Sequence, residues 1–273
     1  MYYMKWVLAL LFAYFYGSIN FAYLFVKMIK KVDLRKHGFG NPGASNAFNV
    51  GGPVAGILTM IFDISKAGIP IVAAHYIMSW SFQSDLLLLL TMPVAATLGH
   101  DFPFYWKFKG GEGLSIIYGT MLFFSPAYWL ICNCIHIPFV VIKKNLNRKF
   151  RYAHLSVLLI TIAASLLFIF EPVITAYLSW WKWVSWGFCD LFGEGYLTNT
   201  SDIGYLLLIL MGFYVIFRRA FRYGFFQDLK DGINPFKAFY LRALFIMFPK
   251  ESRYRNPGED VQMGEEDAKK ALT

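Results

Sequence analysis

An all-α, polytopic integral membrane fold, N-terminus outside and C-terminus inside, is the class this sequence predicts, and three observations predict it. Hydrophobic residues make up 57% of the 273 residues and charged residues only 16%, where soluble domains average about 25% charged. Several apolar runs reach the ~18 residues needed to cross a bilayer. Basic clusters stand at the ends of those runs, in a chain of net charge +9 and mean hydropathy +0.46, as loops facing anionic lipid do. The composition excludes a disordered chain and argues against a soluble enzyme. No soluble basic domain is present to bind nucleic acid.

Trp6–Met28 is the first span. It is not read as a signal peptide, because Met1–Lys5 is barely basic and no A-x-A site follows. From Lys27 to His37 there are five Lys/Arg and one Asp, which assigns this loop to the cytoplasm and the N-terminus to the outside. Val54–Trp80 is the second span and carries Asp63 and Lys66. Ser81–Asp85 turns outside, and Leu86–Leu98 returns to a cytoplasmic stretch, His100–Gly113. The two glycine-rich segments, Gly38–Gly52 and Gly110–Gly113, therefore share one membrane face. Leu114–Ile142 is read as two short helices meeting near Pro126. Proline breaks a helix interior, and the hairpin keeps Lys143, Lys144, Arg148, Lys149 and Arg151 in the cytoplasm. His154–Leu178 exits to an interfacial cluster of Trp180, Trp181, Trp183 and Trp186. Ile203–Phe217 comes back, stopped by Arg218, Arg219 and Arg222. That makes about seven helical segments. Phe236–Phe248 has the pattern of an amphipathic surface helix. Residues 1–250 form one multispan domain, and 251–273, with four basic and six acidic groups, form a polar cytoplasmic tail that reads as disordered. Cys132, Cys134 and Cys189 show no metal-ligand spacing and are read as apolar packers.

Three segments carry chemistry. In Asp33–Asn46, Gly38, Gly40 and Gly43 permit positive φ and close backbone approach. The backbone there can aim N–H groups inward as an anion nest. Arg35, Lys36 and His37 add charge, and Asn41, Ser45 and Asn46 add hydrogen-bonding side chains. This equipment suits a phosphate, and it equally fits a glycine-rich turn with a basic flank. In Gly99–Gly113, glycines 110, 111 and 113 directly precede an apolar helix, whose N-terminus favours an anion. Lys107 and Lys109 lie beside them, and no Walker ending is present. His100 on its own fits a structural hydrogen bond better than a base. Asp63 and Lys66 share a helix face, either anchoring the loops and touching substrate or neutralising each other inside the membrane. Ser18 beside Gly17 suits close helix packing.

Together these residues resemble the bacterial acyl-phosphate-dependent glycerol-3-phosphate acyltransferases, the PlsY family. Gly17-Ser18-Ile19, Asp33-Leu34-Arg35 and Gly40-Asn41-x-Gly43-Ala44-Ser45-Asn46 look like its first motif. Asp63-x-x-Lys66 looks like its intramembrane pair. Gly99-His100-x-Phe102-Pro103 with Phe108-Lys109-Gly110-Gly111-x-Gly113 looks like its second motif. The match runs over roughly residues 10–120. The resemblance implies acyl transfer from a fatty acyl phosphate to glycerol 3-phosphate or a related phosphorylated alcohol. It implies catalytic roles for Arg35, Ser45, Asn46 and His100. It implies substrate binding by Gly38, Gly40, Asn41, Gly43, Asp63, Lys66, Lys109, Gly110, Gly111 and Gly113. No metal or organic cofactor is implied, and the non-protein partners are these substrates and membrane lipid. The chain departs from the family pattern at Phe39 for Ser, Asn49 for Arg and Glu112 for Lys. Arg218-Arg219-Ala220-Phe221 stands where a His-Arg-x-Asn motif belongs. A diverged paralogue that binds lipid phosphate without catalysis is a second reading. A small transporter is a third, weakened by scarce intramembrane charge and the lack of a symmetric repeat.

Overall fold

The computed structural model describes residues 2–38, 40–80, 86–124, 129–130, 133–134, 198–222 and 225–243, which contain helices and turns but no strand. The helices are α1 (Tyr2–Ser18), α2 (Phe21–Lys30), α3 (Ala44–Met78), α4 (Leu86–Asp101), α5 (Leu114–Phe124), α6 (Thr198–Arg222), α7 (Phe225–Lys230) and α8 (Pro235–Ala243). Short 3-10 turns occupy Leu34–Lys36 and Phe104–Trp106. By length and apolarity, Tyr3–Lys30 and Ala44–Met78 qualify as membrane-crossing segments. The Pro126 hairpin, the basic run 143–151, the span 154–178, the Trp cluster and the tail 251–273 lie outside the described residues.

The first span is not one helix. It breaks between α1 and α2 at Ile19–Asn20. The Ser18 hydroxyl donates to the Tyr14 carbonyl at 2.8 Å, and the Asn20 side chain restarts the chain by accepting from the Tyr23 N–H at 3.0 Å. That is an N-cap. The second span begins ten residues earlier than hydropathy suggests. Its ladder is interrupted at Gly52 (φ 85°, ψ −177°), just before Pro53. Only glycine takes that backbone without strain, and Pro53 suits the first position of the restarted helix. The third span runs three residues further than expected, so Gly99, His100 and Asp101 sit on the last turn of α4 and not in a loop.

The helices assemble around small residues. A Cβ on Gly17 would lie 2.1 Å from the Ala96 carbonyl oxygen, and one on Gly99 would lie 2.0 Å from the Tyr14 oxygen. The backbones of α1 and α4 therefore touch, as small residues allow in a membrane bundle. Apolar clusters complete the packing. Ala22 and Val26 of α2 meet Ala47 and Ala55 of α3. Ala9 and Ala13 of α1 meet Ile71, Ala74, Leu90 and Met92. Ile117 and Met121 of α5 meet Met211, Val215 and Ile216 of α6.

Gly99→Ala is expected to force α1 and α4 apart and to lower stability by about 1–3 kcal/mol, the usual cost of overpacking. Thermal unfolding of the detergent-purified protein measures it. An unchanged midpoint would show that the crossing is not tightly packed.

Candidate functional site

The first loop is built on Asp33. Its carboxylate accepts from the Arg35 backbone N–H at 3.0 Å, capping the 3-10 turn, and grips the Arg35 guanidinium at 2.9 and 2.6 Å. That bidentate hydrogen bonding holds the Asp33 carboxyl below its ordinary range. The guanidinium also lies 4.5 Å from the centre of the Trp106 ring and 5.3 Å from that of Tyr23. Arg35 is thus oriented by a carboxylate and two aromatic faces. Asn46, fully buried, donates from its amide to the carbonyls of Leu34, His37 and Asn41 at 3.3, 3.1 and 2.9 Å. Its amide therefore holds the loop in shape. Gly38 and Gly40 adopt positive φ (63° and 67°), whereas Gly43 caps α3 from extended backbone (φ −119°). Ser45, on the first turn of α3, is exposed. Phe39 lies outside the described residues.

The second loop closes on the end of α4. Gly110 N–H donates to the Asp101 carbonyl at 3.1 Å and Gly111 N–H to the His100 carbonyl at 3.0 Å. These two amides are engaged inside the loop, so they do not form the open anion nest expected from the glycine run. The glycines are needed here for space. A Cβ on Gly111 would lie 2.0 Å from His100 Nε2, and one on Gly110 1.9 Å from the His100 oxygen. Lys109 is exposed at the loop edge. The Tyr14 hydroxyl donates to the Phe102 carbonyl at 2.6 Å, and the Tyr105 hydroxyl donates to the Ser18 carbonyl. Burial pushes the Tyr105 phenol up to about 12, keeping it a donor.

Under both loops sits a buried charge cluster. The Lys66 amino group, fully buried, pairs with Asp63 at 2.7 Å, donates to the Ile19 carbonyl at 2.7 Å and is hydrogen-bonded with His100 Nδ1 at 3.1 Å. One cation joins the break between α1 and α2, the middle of α3 and the end of α4. The two loops themselves meet twice, at the Arg35–Trp106 stack and at a hydrogen bond from the Asn41 amide to Glu112 at 3.2 Å. The structure thus gathers Arg35, Asn41, Asn46, His100, Asp63, Lys66 and the 110–113 backbone at one end of the bundle.

Sequence reasoning gave no role to Asp101 and Tyr214. Asp101 is fully buried and accepts from the Tyr214 hydroxyl at 2.8 Å, with Arg218 Nε 4.0 Å away. Arg218 also stacks 4.5 Å over the Phe102 ring. The last turns of α6 are thereby tied to the second loop. The signal available beforehand was a carboxylate at the end of an apolar run, next to His100. Among the described residues, no three His, Cys, Asp or Glu side chains come together as metal ligands. The site is suited to holding an anionic group between an oriented guanidinium and helix N-termini.

A model of the family described as glycerol-3-phosphate acyltransferase matches residues 7–191. The glycerol-3-phosphate acyltransferase of Thermotoga petrophila is 36% identical over 141 residues, covering 52% of this chain and 69% of that protein. The one from Francisella tularensis subsp. novicida is 36% identical over 161 residues, covering 59% and 73%. Among solved structures, the integral membrane glycerol 3-phosphate acyltransferase PlsY in its glycerol 3-phosphate form matches with a TM-score of 0.54 and 27% identity, over 83% of this chain and 92% of that one. Its lysophosphatidic acid form matches with a TM-score of 0.53 and 25% identity, over 86% and 98%.

The Asp33–Arg35 clamp has a pH signature. A depressed folded-state pKa gives stabilisation that is complete above the unfolded value and is lost as pH falls through the folded one. A ¹³C titration of the Asp33 carboxyl is expected to give a midpoint below the ordinary 3.8. Arg35→Gln should return it toward that value. A midpoint at the ordinary value in the unmodified protein would deny the clamp.

Proposed function

The chain belongs to the glycerol-3-phosphate acyltransferase family, and on that premise we propose how its site carries the reaction and how it lies in the membrane. It is a membrane glycerol-3-phosphate acyltransferase of phospholipid synthesis; the non-catalytic and transporter readings are not favoured. The acyl donor is a fatty acyl phosphate. A hydroxyl oxygen of glycerol 3-phosphate attacks the donor's carbonyl carbon, the new C–O ester bond forms, and the bond to the phosphate oxygen breaks. The hydroxyl proton passes to the departing phosphate, so lysophosphatidic acid and hydrogen phosphate leave. No metal or organic cofactor enters.

The observation that carries this reading is the meeting of the two glycine loops through Arg35–Trp106 and Asn41–Glu112. It leaves one polar end where a phosphorylated alcohol meets an acyl group whose chain stays in lipid. Arg35 and Ser45, with the Gly38–Gly43 backbone, face the acyl phosphate and the charge that develops on its carbonyl oxygen, an oxyanion-hole role. Lys109, Gly113 and the N–H groups of Leu114 and Ser115, which precede the first hydrogen bonds of α5 (Ile116 and Ile117 N–H donate to the Gly113 carbonyl), hold the glycerol phosphate. Asp63 and Lys66 support both loops from below.

In orientation, the chain is multi-pass with about seven helical segments, N-out and C-in, and its active face is cytoplasmic. The charge distribution of the loops supports this. In a background lacking Cys132, Cys134 and Cys189, a cysteine at Asn145 is expected to resist an impermeant thiol reagent in intact cells and to react once the membrane is opened. Labelling from outside would overturn the hairpin at Pro126.

Phe39, Asn49 and Glu112 shape acceptor use. The Glu112 carboxylate is engaged with Asn41 at 3.2 Å and repels a phosphate. Asn49, exposed on α3, offers no guanidinium. Each charge-assisted bond so lost is worth about 1.5–3 kcal/mol. Glycerol 3-phosphate is therefore used poorly compared with other family members. Phe39→Ser, Asn49→Arg and Glu112→Lys combined should raise turnover by about ten- to a hundredfold, measured as phosphate release from acyl phosphate. Ordinary turnover without the three changes, unimproved by them, would show the departures to be harmless. A panel of other phosphorylated alcohols identifies the preferred acceptor.

A further inference from the structure

His100 stands among the catalytic candidates through the family resemblance, where an imidazole near a reacting hydroxyl would be a general base. Its surroundings assign it another task. An ammonium group carries three donors and no acceptor. Lys66 donates to the Ile19 carbonyl (2.7 Å), is ion-paired with the Asp63 carboxylate (2.7 Å) and lies 3.1 Å from His100 Nδ1. Burial disfavours a charge on Lys66, and the Asp63 carboxylate and the Ile19 carbonyl, each at 2.7 Å, offset that cost; as an ammonium it has no lone pair to offer, so the lone pair in its contact with His100 belongs to Nδ1. The ring proton then sits on Nε2. That nitrogen lies under the backbone of Gly111, where a Cβ would come within 2.0 Å of it, and the His100 carbonyl accepts the Gly111 N–H at 3.0 Å.

We propose that Lys66 fixes the tautomer of His100, so that His100 carries its proton on Nε2, its ring packed under Gly111 and its carbonyl accepting the Gly111 N–H. His100 is then a positioning residue for the loop that receives the phosphorylated acceptor, and not the base that deprotonates it. Lys66 in turn is the device that sets the ring. A neutral ring with one accepting and one donating nitrogen differs between its two tautomers only in which side is bonded, and the partner decides. The role of the loop rests on the reading given under Proposed function; the tautomer rests on geometry alone.

The experiment is ¹⁵N spectroscopy of the full chain in detergent with all five histidines labelled, His100 being assigned by the signal lost in His100→Gln. At pH 7.5 His100 is expected as the neutral form protonated at Nε2, with an unprotonated, hydrogen-bonded Nδ1. Lys66→Met should release it into a mixture of tautomers. The Nδ1–H form or an imidazolium in the unmodified protein would overturn the proposal. So would a spectrum unmoved by a folded Lys66→Met. Where that variant does not fold, the side-chain series decides. Glutamine places an amide near the position of Nε2, whereas alanine places nothing there. His100→Gln should exceed His100→Ala in turnover by tenfold or more, mostly through KM. Equal loss in both, confined to kcat, would make His100 the base. The spectrum does not depend on the acyl-transfer assay, so failure of the proposed reaction and failure of the tautomer assignment are separately visible.

Discussion

A lysine ammonium without water around it organises this bundle. Burying a charge costs several kcal/mol unless it is paired and hydrogen-bonded, and removing one partner from a buried pair costs about 3–5 kcal/mol. Lys66 meets that demand with groups from three elements: Asp63 one turn away on α3, the Ile19 carbonyl and the ring of His100. The break after α1 is part of the same bargain. A helix end leaves carbonyls unpartnered, which hydrocarbon does not tolerate. Lys66 takes the carbonyl of Ile19 and the Tyr105 hydroxyl takes that of Ser18. The cation also faces the negative end of the α1 dipole.

This arrangement depends on how near the helices come. Gly17 and Gly99 bring α1 and α4 to backbone contact, and only at that separation does the Tyr14 hydroxyl reach Phe102 and the Tyr105 hydroxyl reach Ser18. Those bonds fold residues 102–109 over the end of α1. Trp106 then lies beside Tyr23, at 4.5 Å between ring centres, and under Arg35. The exposed Asp33–Arg35 pair contributes little stability on its own. Its effect is to aim the guanidinium, the only side-chain cation fixed at the meeting of the two loops by contacts from both of them among those described.

The second loop has a similar logic from the other side. Asp101 and Tyr214 join α4 to α6, and Arg218 is drawn to the same carboxylate while stacking on Phe102. Arg218 near the end of α6 therefore bears on the second loop. In a buried, weakly screened setting, a cation at 4.0 Å from a carboxylate is not lost to solvent.

The sequence by itself determined the helical membrane class, the two glycine loops, the family and the chemistry of the intramembrane pair. Each is written locally: apolar run length sets a span, glycine at 38 and 40 sets positive φ, and Asp63 and Lys66 share a face at a spacing of three. Tertiary structure decided what those residues do. Asn46, a hydrogen-bonding candidate by type, is consumed by three carbonyls of its own loop. Gly110 and Gly111, a phosphate nest by pattern, are the space into which His100 fits. The break at Ile19–Asn20 is invisible to hydropathy, because both halves are apolar. Its Ile19 carbonyl accepts from a lysine 47 positions away, and what sets the histidine's proton is the same lysine at a separation of 34. No sequence window contains those partners, since only the approach of α1 to α4 and α3 brings them within hydrogen-bond distance.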